Sequence, residues 1–105
     1  MPRVPTYPLA EIKAQFATSN GFVISGTAHR TSVALGMSQS DIVDVIQNLS
    51  VRNLYKVMRG NVDPRIMHDV YKSEWNGIPL YIKFIRNHGE ALIMLVSCKE
   101  DESHV

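Results

Sequence analysis

From about residue 65 the apolar residues of this chain stop recurring at helical spacing and begin to alternate. Ile66 to Lys72 alternates, Asn76-Gly77 is a strong turn signal, and Leu80 to Ile85 alternates again. A period of two sends successive side chains to opposite faces, so these runs predict an antiparallel hairpin. Asn87-His88-Gly89 supplies a second turn, and Ala91 to Lys99 reads as a further, buried strand. A sheet built this way needs a second layer over its apolar face, and only the first half of the chain can supply it.

That half has helical spacing. Pro2, Pro5 and Pro8 punctuate the lead, and Pro8 suits the first turn of a helix carrying Leu9, Ile12 and Phe16, with Asn20-Gly21 as its stop. Phe22 to Ser25 reads as a short strand. Thr27 or Thr31 is a cap for a second helix that carries Val33 and Leu35 and ends at Gly36. Ser38-Gln39-Ser40-Asp41 is a capping box ahead of Ile42, Val45, Ile46 and Leu49, an apolar stripe for a third helix. Ser50 then begins another short helix, with Leu54, Val57 and Met58 inward and Lys56 off the stripe, between Arg52 and Arg59. Helices first and a meander second predict an α+β fold, N-terminal helices packed on a C-terminal antiparallel sheet. At 105 residues it forms one domain, 1–105.

Parity decides which side chains share a face. A two-residue turn at Asn76-Gly77 pairs Lys72 with Tyr81, whereas a four-residue loop from Ser73 to Asn76 sets His68 opposite Tyr81. Either way His68, Val70, Lys72, Tyr81 and Lys83 lie on one side. A three-residue loop, Asn87 to Gly89, with Gly89 at positive φ, adds Ile93, Leu95, Ser97 and Lys99 to the Tyr81 face; a two-residue turn at His88-Gly89 would turn Lys99 away. The glycine favours the former.

Composition narrows the chemistry. Hydrophobic residues make up 45% and charged residues 20%, an ordinary globular balance. The longest apolar runs are too short to span a bilayer, no secretory signal follows MPRVPTYP, and the single Cys98 excludes an internal disulfide framework. No membrane partner is expected, and a reducing cytosol is the simplest home. The net charge of +1 hides an asymmetry, since Glu100, Asp101 and Glu102 cluster in the tail. Between residues 52 and 86, Arg52, Lys56, Arg59, Arg65, Lys72, Lys83 and Arg86 face only Asp63, Asp69 and Glu74, a balance able to meet phosphates. His29, His68, His88 and His104 lack metal-ligand spacing, there is no P-loop, GxGxxG or GxSxG, and Cys98 suits a core strand better than a nucleophilic role.

What remains is Lys56, His68, Tyr81 and Lys99, with Arg59, Lys72 and Lys83 around them. RNA is cut without metal when its 2′-hydroxyl attacks the neighbouring phosphate. That reaction needs a proton acceptor, cations for the charge gathering on phosphorus, and an acid for the departing 5′ oxygen. Histidine exchanges protons near neutral pH, lysine neutralises charge, and tyrosine hydrogen-bonds a phosphate or stacks on a base. Each residue also has an ordinary reading: His68 a satisfied strand residue, Tyr81 a cross-strand packer, Lys56 and Lys99 solvated ends.

The segments LSVRNLYKVM (49–58), HDVY (68–71), GIPLYIKF (77–84) and LVSCKE (95–100) together resemble the MqsR toxins, named for motility quorum-sensing regulation. PTYPLAEIKAQF and TSVALGMSQSDIVDVIQNLS align as well, so the resemblance covers nearly the whole chain. It implies a RelE-like α+β fold and the toxin of a type II toxin–antitoxin pair, cleaving messenger RNA without metal or other cofactor. It also implies a cognate antitoxin, which in similar systems binds zinc and DNA. The resemblance places the family's site pattern on Lys56, Tyr81 and Lys99, and a fourth position on His68, where a relative carries glutamine before DVY. The family's DFYK motif here reads Asn53-Leu54-Tyr55-Lys56, and loss of the acid leaves Lys56 freer for phosphate. Two rival readings remain: a non-catalytic module that binds RNA or the ribosome, and a toxin that cuts only ribosome-bound message.

Overall fold

The computed structural model describes residues 4–102. Pro2 of the proline lead and His104 lie outside the described residues. Helix α1 (Leu9–Phe16) starts directly after Pro8, whose carbonyl accepts from the Glu11 and Ile12 N–H groups. Helix α2 (Gly26–Ala34) is capped by Ser25, whose hydroxyl accepts from the Ala28 N–H, and not by Thr27 or Thr31. Thr31 serves the sheet instead, donating its hydroxyl to the Cys98 carbonyl at 2.8 Å. Gly36, at φ +87°, ends that helical segment. The expected capping box is present, Ser38 and Asp41 exchanging side chain to backbone hydrogen bonds at the start of α3 (Gln39–Gln47).

Four strands follow as an antiparallel meander, each beside the next: β1 (Leu54–Arg59), β2 (Met67–Trp75), β3 (Ile78–Ile85) and β4 (Met94–Glu100). The helices precede the sheet, giving the α+β arrangement that the change of period implies. Asn76 at φ +50° and Gly77 at φ +78° form the two-residue turn, so Lys72 pairs with Tyr81. Tyr71, Leu80, Ile82 and Phe84 line the inner face with Ile12, Phe16, Ile46 and Leu49 of the helical layer. Phe16 meets the Phe84 ring edge-on at 5.8 Å, fastening α1 to the centre of the sheet.

Three expectations need correction. The segment from Ser50 is not a helix: a single 3₁₀ turn (Val51–Asn53) leads into β1. Leu54 opposes Tyr71 and Lys56 opposes Val70, so Tyr55 is an extra, bulged residue. The bulge turns both Leu54 and Val57 toward the core although they are three apart, a spacing that imitates a helix. The β3–β4 connection is also wider than three residues, running from Arg86 to Ile93 with Gly89 at φ +79°. Ile93 and Leu95 are buried in the core instead of sharing the Tyr81 face. A second bulge, at Val96, then restores Ser97 and Lys99 to that face, opposite Lys83 and Tyr81. Finally, Phe22 to Ser25 makes only one parallel bridge, Ile24 to Leu95, because Ser25 is already the cap of α2.

Three polar side chains, two buried and one half-buried, fix the layers to one another. The fully buried Asp69 carboxylate accepts from the backbone N–H groups of Thr6 at 3.1 Å and Tyr7 at 2.8 Å. The Tyr7 hydroxyl donates to the Met67 carbonyl and accepts from the Arg86 N–H, tying the lead to β2 and to the end of β3. The Gln15 amide donates to the Ile93 carbonyl at 2.7 Å and accepts from the Ile93 N–H at 2.9 Å. Among the described residues, no helix is long and apolar enough to cross a membrane. Replacing Asp69 with Ala strands two backbone donors, so denaturant titration should show a loss of about 2–3 kcal/mol.

Candidate active site

Cross-strand partners form three rows on the sheet face turned away from the helices. Lys72, Tyr81 and Lys99 make the first row, Lys56, Val70, Lys83 and Ser97 the second, and Met58 with His68 the third. Neighbouring rows are about 7 Å apart along the strands. His68 and Tyr81 therefore share the face but stand two rows apart, with the Lys56–Lys83 row between them. Val70 is fully buried although it belongs to this outer face, as expected beneath the stems of long charged side chains.

The cations of this half of the chain divide by partner. Arg65 is bound through its guanidinium to Asp63, and Arg86 pairs with Glu11. Lys72 pairs with the largely buried Asp101 at 3.2 Å and lies 3.9 Å above the centre of the Tyr55 ring. Lys56, Lys83 and Lys99 form no ion pair within the described residues, and they influence one another. Burial, then the charges of Lys99 and Lys56, hold the Lys83 amine below the usual lysine range. Lys83 and Lys99 also lie 5.8 Å and 5.3 Å from the centre of the Tyr81 ring. Arg59, expected beside them, stands opposite Met67 on the parity of the inward-facing Val57, so β1 turns it away from the lysine rows.

The two groups able to handle protons are tuned in different ways. Burial is the main reason the Tyr81 phenol lies above its ordinary pKa, with Tyr55 and Asp101 adding to the rise and Lys72 opposing it. The phenol thus keeps its proton and donates. Burial, and next the charge of Lys83, hold the His68 imidazole below its ordinary value, so it is neutral at pH 7 and able to accept. Its Nδ1 is sealed from solvent with no hydrogen-bond partner. Its Nε2 faces Gly60, where an added Cβ would come within 3.0 Å of that nitrogen and 2.7 Å of the Asp63 carbonyl oxygen. Only glycine fits there.

Cys98 is buried in the core and its thiol is pushed up to about 11, which suits a packing role. Among the described residues no three His, Cys, Asp or Glu side chains gather as a metal site would require. Sequence reasoning missed two participants. Tyr55 is hidden by the bulge that breaks the alternation of β1, and Asp101 is easily taken for part of a solvated acidic tail. Its backbone N–H in fact bonds the Pro79 carbonyl, extending the last ladder and holding the carboxylate beside Lys72.

Residues 4–100 match the family described as motility quorum-sensing regulator, toxin of MqsA. The chain belongs to this family. As an MqsR-family protein it is the toxin of a toxin–antitoxin system, and an antitoxin is its implied partner. No curated protein matches the chain significantly. The match takes in all three rows of this MqsR-family toxin, from Lys56 to Lys99, together with the lead that Asp69 holds. Lys72→Met would leave the buried Asp101 carboxylate of this toxin without its cation. A stability loss of about 1–3 kcal/mol is expected in denaturant titration, recovered in the Lys72→Met/Asp101→Leu double variant.

Proposed function

We propose that this toxin is a metal-independent endoribonuclease that cuts messenger RNA and so halts translation. The observation that carries the reading is the set of three lysines, Lys56, Lys83 and Lys99, gathered on one sheet face without acidic partners among the described residues, two of them beside the Tyr81 ring. Mutually repelling ammonium groups are stabilised by a polyanion, and a phosphate passing through a pentavalent state gains most from them. A scissile phosphate over the middle row is approached by His68 from one side and Tyr81 from the other.

In the proposed step the 2′ oxygen attacks phosphorus while neutral His68 takes the 2′ proton at Nε2, the ring nitrogen that is not sealed, after the imidazole swings from Gly60 toward the middle row. Lys56 and Lys99 neutralise the charge that collects on the non-bridging oxygens, and the Tyr81 phenol donates a hydrogen bond to one of them. As the bond from phosphorus to the 5′ oxygen breaks, that oxygen takes a proton. Lys83, whose ammonium gives up its proton more readily than an ordinary lysine's, is the donor best suited. The products are a 2′,3′-cyclic phosphate and a 5′-hydroxyl. Lys72, held by Asp101, keeps Tyr55 and Tyr81 in place and contributes less to RNA attraction than its charge suggests.

The reading is tested with purified protein, a long single-stranded RNA and excess EDTA. Cleavage leaving those two kinds of end, lowered at least 100-fold in folded Lys56→Ala, is the expected result. Absence of cutting, with or without ribosomes, would leave a binding module, and cutting only on ribosomes would make the toxin ribosome-dependent. The pH profile tests the histidine separately. Because the His68 pKa is depressed, kcat/KM should rise with pH through a midpoint below the ordinary histidine value of about 6.5, level off, and fall again at alkaline pH as Lys83 loses its proton below the usual lysine range. His68→Gln should lose the rising limb; an unchanged profile would remove His68 from proton transfer.

A further inference from the structure

Beyond the third row the sheet face opens into a pocket of about 410 Å³ beside the lysine cluster, of a size that takes small organic ligands. Met58, Ile66 and Ile85 give it apolar walls, Lys83 closes the side toward the catalytic rows, and Asn61 and Asn87 stand at its rim. Neither of these carboxamides hydrogen-bonds another described residue, which leaves donors and acceptors available. The loop that forms the outer wall is braced. Gly60 donates to the Ile66 carbonyl at 2.9 Å, Ile66 donates to the Asp63 carbonyl at 3.1 Å, and Arg65 grips the Asp63 carboxylate. Val62, at the same loop, is fully exposed, a large apolar side chain with nothing over it.

We propose that this pocket receives the nucleobase adjoining the scissile phosphate and sets the toxin's cleavage preference, an inference that rests on the ribonuclease reading above. Three features select a base over other occupants. The pocket is apolar at its walls and polar at its rim, matching a flat ring with a hydrogen-bonding edge. It shares Lys83 with the row on which the phosphate lies, so a nucleotide is recognised at both ends by one continuous surface. Free carboxamides are the side chains best suited to reading a base edge, since each offers a donor and an acceptor together. Gly60 is what makes the room: a side chain there would strike both the loop backbone and His68.

The test has two arms, both on the full chain. In the first, backbone amide NMR follows titration with each of the four nucleoside 3′-monophosphates, with inorganic phosphate as control. Shifts at Gly60, Asn61, Ile66 and Asn87 that differ among the bases and are missing with phosphate are expected. Shifts that stay at the lysine rows and are identical for all five ligands would overturn the proposal. In the second, cleavage sites on a long RNA are mapped for wild type and Asn61→Ala/Asn87→Ala. Discrimination at one position of the cleavage sequence should fall about tenfold while the other positions keep theirs. An unaltered cleavage profile would also overturn it. If the wild type cuts no RNA yet shows base-dependent pocket shifts, the ribonuclease reading fails and the base site stands.

Discussion

The register of the β2–β3 hairpin governs everything else in this molecule. Two consecutive left-handed residues, Asn76 and Gly77, pair Trp75 with Ile78 and thereby every residue behind them. A slip of one residue would send Tyr71 outward and Lys72 into the core. With the observed register Leu80, Ile82 and Phe84 meet the helices, while Tyr81 faces outward between Lys72 and Lys99, and Lys83 between Val70 and Ser97. The hydrophobic drive to bury one face is therefore also what assembles the cations on the other.

The fold then sorts those cations by use. Arg86, through its pairing with Glu11 and its backbone bond to Tyr7, helps hold the lead in place. Arg65 stiffens the β1–β2 loop through Asp63, and Lys72 is bound to Asp101. The lysines left without an acid are the ones brought together on the open face. A surface like this is made by withholding carboxylates as much as by placing amines, and Asn53, three residues before Lys56, carries no charge either. Asn53 instead caps its own 3₁₀ turn and donates to the Lys72 carbonyl at 3.0 Å.

How much of this is legible in the sequence depends on where alternation is unbroken. The hairpin, the capping box and the common face of His68, Lys72, Tyr81 and Lys83 follow from spacing and turn chemistry alone. The two bulges do not. Each lets a pair of residues three apart, Leu54 and Val57 or Leu95 and Cys98, turn inward together, and such a pair looks helical in β1 and misaligned in β4. Arg59 is misjudged for the same reason, since on a helix it would lie beside Lys56 and on a strand it lies across from it. The pocket beyond His68 is not visible at all from spacing, because its walls come from three strands and a loop.

Val70 carries a consequence of another kind. A valine sealed between Lys56 and Lys83 lets the two long side chains stand side by side, with Lys99 near enough to act on Lys83 through its charge while the face is bare. Some folding free energy is thus spent holding like charges together. Any polyanion that settles on the face relieves that repulsion in the folded chain and has no comparable hold on the unfolded one. Occupancy and stability are coupled through the same three side chains, so the toxin is at its least robust when its face is empty.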